Sequence, residues 1–222
     1  PLFIRRLKED MKNFNGEPIF PPRTVTTMQF NLSDEEKELY NAVTSYVQVH
    51  FNKALAKEKR NVVFAMIILQ RRLASSVRAV RKSLIRRRNR LQDLYDQSEK
   101  IIDSDISVSK YLDDLAENER WKQEEELLLR LTSAESREEL KVEIDMLDNL
   151  TALAKEVEDK QVETKLLELQ SVINQQDIKK NKKKLLIFTE ARDTLEYLIE
   201  KIKSWGFTTT QIHGLMKMND RI

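Results

Sequence analysis

The chain has no cysteine, three glycines, four prolines and 7% aromatic residues. The missing cysteine excludes a disulfide framework, a thiolate zinc site and thiol catalysis together. It fits a reducing, cytoplasmic compartment. A phosphate-cradling loop needs clustered glycines followed by Lys and Ser or Thr. Gly16, Gly206 and Gly214 are far apart, and none precedes such a pair. No apolar run approaches the roughly 20 residues of a membrane span, so no membrane partner is expected. Pro1-Leu2-Phe3-Ile4-Arg5-Arg6 lacks the apolar core of a signal peptide. His50 and His213 have no partner at metal-ligand spacing. The net charge is only +2, so charge distribution matters more than the sum.

What is present favours helix. The 222 residues are 34% charged and rich in Leu, Glu, Lys and Arg. Ser33-Asp34-Glu35-Glu36 is a capping box that predicts a helix through about Ala56, with Leu39, Val43, Tyr46, Val47 and Phe51 on one side. Asp34-Glu35-Glu36 resembles an acidic magnesium motif only superficially, since it follows no buried strand. One long helix is expected from about Asn61 to Gln97, its stripe made by Val62, Met66, Leu69, Leu73, Val80, Leu84 and Leu91. A turn over Ile101–Ser109 and helices over Val108–Thr132, Ser136–Glu158 and Lys160–Gln175 follow. Ser136-Arg137-Glu138-Glu139 reads as a second capping box, and Leu140, Ile144, Leu147 and Leu150 continue an apolar face. Thr24–Phe30 is β-prone.

After Asn181–Lys184 the pattern changes. Leu185-Leu186-Ile187-Phe188 reads as a buried parallel strand. A helix with Leu195, Leu198, Ile199, Ile202 and Trp205 inward, ended by Gly206 in the left-handed region, comes next. Phe207–Ile212 reads as a second strand. The fold class expected is therefore mainly α, with long helices and a C-terminal β-α-β piece. The chain starts without Met and stops at Ile222 inside a new helical pattern, so a piece of a longer protein is expected.

Two features suggest binding. Arg71 to Arg90 holds nine Lys or Arg and no acid, with Arg71, Arg78, Lys82, Arg86 and Arg90 on one helix face. Such a stripe either tracks phosphates or pairs with an acidic helix, for which Asp113–Glu126 offers seven acids. The second feature is Thr189 and its following amides, with Gly214 beyond the next strand, at the sheet edge where ligands bind in open α/β sheets. The alternative is that Thr189 caps the helix and Gly214 makes a turn.

Phe188-Thr189-Glu190-Ala191-Arg192-Asp193-Thr194-Leu195, Trp205-Gly206-Phe207, Ile212-His213-Gly214-Leu215-Met216 and Arg221-Ile222 closely resemble the start of the second RecA-like lobe of superfamily 2 helicases, in the Snf2-related, RapA-like branch. Phe3–Asp10, Phe20-Pro21-Pro22-Arg23, Leu32–Glu36 and Leu69–Ser76 resemble further blocks of that branch in the same order. The resemblance divides the chain into the end of a first lobe (1–32), a helical inter-lobe insertion (33–180) and the start of a second lobe (181–222). It implies a parent that hydrolyses ATP with magnesium while moving on nucleic acid, DNA above all. The phosphate loop and magnesium motif would lie upstream and the arginine finger downstream. This piece would then bind no cofactor and hydrolyse nothing by itself. Its partners would be nucleic acid, the two lobes and a protein on the acidic helices. By likeness, Thr189, Arg192, His213 and Gly214 contact the nucleic-acid backbone. The family usually has a second Gly where this chain has Leu215. The competing expectation is a non-catalytic helical scaffold that binds a protein partner.

Overall fold

The computed structural model describes residues 7–22, 25–96, 117–130, 132–176, 178, 184–214 and 216. The chain divides into two units, Pro1–Asn31 and Leu32–Ile222. Expectations for the Arg5-Arg6 pair, Arg23, Thr24, the turn before Ser109, Asp113, Leu215 and Arg221-Ile222 fall outside the described residues.

The first unit holds one turn of 3-10 helix, Lys8–Asp10, and a tight reversal closed by a Lys12–Pro18 bridge. Asn13 organises the reversal. Its Oδ1 accepts from the Asn15 and Glu17 amides, both at 2.9 Å. Gly16 sits at φ +83°, where a side chain would be strained. The β-prone stretch, described from Val25 to Phe30, forms no strand.

The second unit is helical. The described helices are α1 (Asp34–Ala56), α2 (Arg60–Ser75), α3 (Val77–Asp96), α4 (Glu117–Arg130), α5 (Arg137–Lys160), α6 (Thr164–Gln175) and α7 (Arg192–Ser204). α3 is central, packed along α5 and touching α2, α4 and α7, while α1 packs on α2 and α5. No described helix is long and apolar enough to cross a membrane.

Local sequence accounts for the helix ends. Ser33 Oγ accepts the Glu36 amide at 3.1 Å, and Glu36 Oε2 accepts the Ser33 amide at 2.8 Å. Glu36 also accepts the Thr164 amide at 2.9 Å, so one buried carboxylate serves the starts of α1 and α6. The second box is half-formed. Ser136 Oγ caps the Glu139 amide at 3.2 Å, but the Glu139 carboxylate takes the Glu135 amide instead. Gly206, at φ +81°, closes α7 in a Schellman motif, with Phe207 N–H donating to Ile202 and Gly206 N–H to Lys203.

The single long helix expected after Asn61 is two helices. Ser76 adopts φ −161°, ψ 156°, breaks the ladder, and caps α3 by accepting the Ala79 amide at 3.1 Å. Paired serines offer the backbone such side-chain alternatives. The apolar stripe survives the break: Val62, Met66, Leu69, Leu73, Val80, Leu84 and Leu91 are all buried, as are Leu140, Ile144, Leu147 and Leu150. Full burial of such a side chain contributes about 1.5–3 kcal/mol.

The C-terminal β-α-β piece is not seen. Its helix is α7, but 184–191 and 207–213 carry no ladder among the described residues. Leu186, Phe188 and Ile212 are exposed by 76%, 86% and 71%, so neither segment has a sheet to bury it. Two isolated parallel strands are not stable in water. With no sheet to face, α7 turns differently from expectation. Leu195, Leu198, Ile199, Ile202 and Trp205 stay half-buried, and Thr194 and Tyr197 are the buried pair.

The core contains a buried polar network. Arg87 and Glu143 are essentially unexposed, and their side chains meet at 2.7 Å. Arg87 also donates to Tyr46 Oη at 2.8 Å and to the Leu128 carbonyl at 2.7 Å. Glu143 accepts from Tyr46 Oη at 2.8 Å and from Thr132 Oγ1 at 2.6 Å. The His50 ring lies tilted against the Tyr46 ring, centroids 4.5 Å apart, with Nδ1 2.8 Å from Ser133 Oγ. Burial pushes the His50 pKa below its ordinary 6.5, against the pull of the Glu143 charge. Above pH 6.5 the folded and unfolded chains both hold His50 neutral, and its contribution is intact. As pH falls the unfolded imidazole protonates first, so stability drops. His50→Met is expected to flatten the stability slope between pH 6.5 and 5.5, by at most about 1.4 kcal/mol per pH unit. Denaturant melts across that range check it, and an unchanged slope would refute the assignment.

Candidate functional site

The α2–α3 elbow, α4, the start of α6 and the approach to α7 enclose an open cleft of about 1030 Å³. The elbow makes its floor. Both elbow serines turn toward α7, with Ser75 Oγ 2.7 Å and Ser76 Oγ 2.8 Å from Thr194 Oγ1. These hydrogen bonds join positions 119 and 118 residues apart.

Charges line the walls in pairs. Arg71 reaches Glu190 at 2.7 Å and Glu124 at 3.5 Å. Arg72 reaches Glu125 at 3.0 Å and Asp193 at 3.9 Å. Lys82 lies 3.3 Å from both Asp193 and Glu196. Arg86 meets Asp193 at 2.6 Å and Glu125 at 2.5 Å. Arg78 holds Glu158 at 2.7 Å, pairs with Glu200, and stacks 4.4 Å from the Tyr197 ring centre. Trp121 Nε1 donates to the Glu190 carbonyl at 3.0 Å and its ring lies against His213, centroids 6.0 Å apart.

Protonation follows from these pairs. Burial opposes ionisation of Asp193, but Arg86, Lys82 and Arg72 outweigh it and hold its carboxyl below the usual range. Burial likewise works against the Arg86 charge, and the Asp193 and Glu125 carboxylates more than offset it. The hydrogen bond from Arg71 lowers Glu190, and the one from Arg78 lowers Glu200. Glu124 and Glu163 are raised by burial.

The structure thus brings Arg78, Lys82 and Arg86 together along one side of α7, each with an acidic partner there, while Arg71 on α2 pairs with Glu190 ahead of α7 and with Glu124 on α4. Thr189 and Arg192 lie at the cleft, and Arg192 pairs with Glu196 at 3.0 Å. Thr189 does not cap α7: the N-cap is Ala191, without a side-chain bond. His213 and Gly214 lie in the stretch after α7, where His213 meets Trp121. Among the described residues no group of three or more His, Asp or Glu could hold a metal ion. Comparison with protein-family models, with curated proteins and with solved structures gave no match.

Sequence reasoning missed the acids that matter most. Of the expected Asp113–Glu126 acids, Glu124 and Glu125 do take part. Glu158 on α5 and Asp193, Glu196 and Glu200 on α7 supply the rest. The available signal was the spacing 193, 196, 200, which puts three acids on one face of a predicted helix.

Proposed function

We propose that this chain is the inter-lobe portion of an ATP-dependent helicase or DNA translocase of the Snf2-related type. It contributes nucleic-acid contacts and connecting helices, and the catalytic lobes of the parent bring ATP and magnesium. One observation carries the reading. The block Leu69–Ser76 and the block Phe188–Leu195, which each resemble that family, meet directly through Ser75, Ser76 and Thr194. Blocks placed far apart in sequence but joined at one cleft are what a shared functional surface requires.

The exposed Leu186, Phe188 and Ile212 fit this reading. In it, Leu185–Phe188 and Phe207–Ile212 are strands of a RecA-like sheet completed by the rest of the parent, in a cytoplasmic protein. Thr189, Arg192, His213 and Gly214 would face the nucleic-acid backbone. In this reading a protein partner would meet the acidic helices on the faces their internal ion pairs leave over.

The test is the product of the whole reading frame, purified and supplied with magnesium and ATP. It should release phosphate, faster when duplex DNA is added. No hydrolysis with any nucleic acid would sink the reading.

A second reading is a non-catalytic helical scaffold. It is favoured by the internal pairing of Arg78, Lys82 and Arg86, which leaves the basic stripe neutralised. It predicts no ATPase in the whole product and no salt-sensitive DNA binding by this chain.

A further inference from the structure

α3 and α7 pack together within one unit, and their charges interleave in opposite chain directions. Arg86 meets Asp193, Lys82 meets Asp193 and Glu196, and Arg78 meets Glu200. The cations step by four residues and the acids by three and then four, so each ladder keeps to one helix face. An array of single negative charges at near-regular spacing is also what one nucleic-acid strand presents.

Besides these pairs α7 is held by Thr194 on the elbow serines, by Tyr197 under Arg78 and by half-buried apolar side chains. Its buried residues are Thr194 and Tyr197. Partly exposed ion pairs contribute about 0–1 kcal/mol each, and salt screens them. Lys82 takes both its carboxylates from α7, whereas Arg78 and Arg86 each keep a second partner, Glu158 on α5 and Glu125 on α4. Removing α7 would therefore free Lys82 and half-free the two arginines.

We infer that α7 is a built-in stand-in for a nucleic-acid backbone: Asp193, Glu196 and Glu200 cover Arg78, Lys82 and Arg86 of α3, and a nucleic-acid strand binds there by displacing them. The inference rests on the proposed nucleic-acid partner and adds how that surface is regulated. Nucleic acid is favoured over an acidic peptide because Arg78, Lys82 and Arg86 follow one another at four-residue steps along the face of α3 that meets α7, and a strand backbone supplies a negative charge at every nucleotide. The latch makes the site respond to charge density: sparse anions leave α7 docked, and a polyanion opens it.

The test compares two variants of equal charge. D193N/E196Q/E200Q removes the ladder, and E38Q/E138Q/D159N removes three exposed acids elsewhere. Labelled duplex and single-stranded DNA are titrated against each across salt. The ladder variant should bind about tenfold or more tighter than the control at low salt, with a log–log salt slope steeper by about 1–3, ~0.9 for each additional phosphate neutralised. Equal binding by the two variants, or no binding by either, would overturn the latch. So would binding of polyglutamate in place of DNA. Hydrogen exchange on the unaltered chain gives an independent readout, because α7 amides should exchange faster with saturating DNA; unchanged or slower exchange overturns displacement. ATP hydrolysis by the whole product alongside a failed latch would leave the proposed function standing and remove only this regulation.

Discussion

Replacing Arg87 by Met is expected to lower the unfolding free energy by about 3–5 kcal/mol, because it strands the buried Glu143 carboxylate without a counter-charge. Nothing polar from solvent can replace the guanidinium, since the two side chains are 0% and 1% exposed. The substitution also leaves the Leu128 carbonyl without its Arg87 donor. The pair pulls each pKa toward the charged state. Burial works against both charges, yet Arg87 is held above its ordinary value and Glu143 below its own. For Glu143 this stability is present above the ordinary 4.5 and is lost as pH falls through the lowered value.

The double variant Arg87→Met/Glu143→Leu separates charge from shape. Removing both ions abolishes the stranded charge, so the double loss should be several kcal/mol smaller than the sum of the single losses. It will not vanish, because Tyr46 and Thr132 lose their acceptor. Urea melts of the four proteins give the coupling directly. Strict additivity would mean that the two side chains do not act as a pair.

The second large effect is expected at Leu84, which α3 buries completely in the main cluster. Leu84→Ala should cost about 2–5 kcal/mol through lost transfer energy and the cavity left behind. Leu198 on α7 provides the contrast. A sheet packed over α7 would make it core, but here it is half-buried. Leu198→Ala should therefore cost roughly half as much as Leu84→Ala or less. Thermal melts of the two variants decide the matter. Equal losses would show that α7 is seated far more deeply than its buried Thr194 and Tyr197 indicate.

The two effects have opposite histories in the sequence. Leu84 belongs to a periodic apolar stripe and reads as core from spacing. Arg87 lies three residues on, inside a run of arginines that reads as one more solvated or phosphate-facing charge. Only the approach of α1, α5 and the 132–134 loop makes it the pole of a buried network.

The helical class, the start of α1, the inward faces of α1, α2, α3 and α5, and the stop at Gly206 are legible in local sequence. Each of these depends on neighbours within a turn or two, through a 3.6-residue period, a capping side chain or a left-handed glycine. At Ser76 a local cap on the Ala79 amide and a tertiary partner, Thr194 on α7, break the helix together. Tertiary structure decided the fate of 184–191 and 207–213, because strand hydrogen bonds need a neighbouring strand that no local pattern supplies. Above all it decided which acids answer the basic stripe. Charges carry no period and no fixed partner. Arg78, Lys82 and Arg86 met carboxylates 80 to 122 residues away only when α5 and α7 packed around α3.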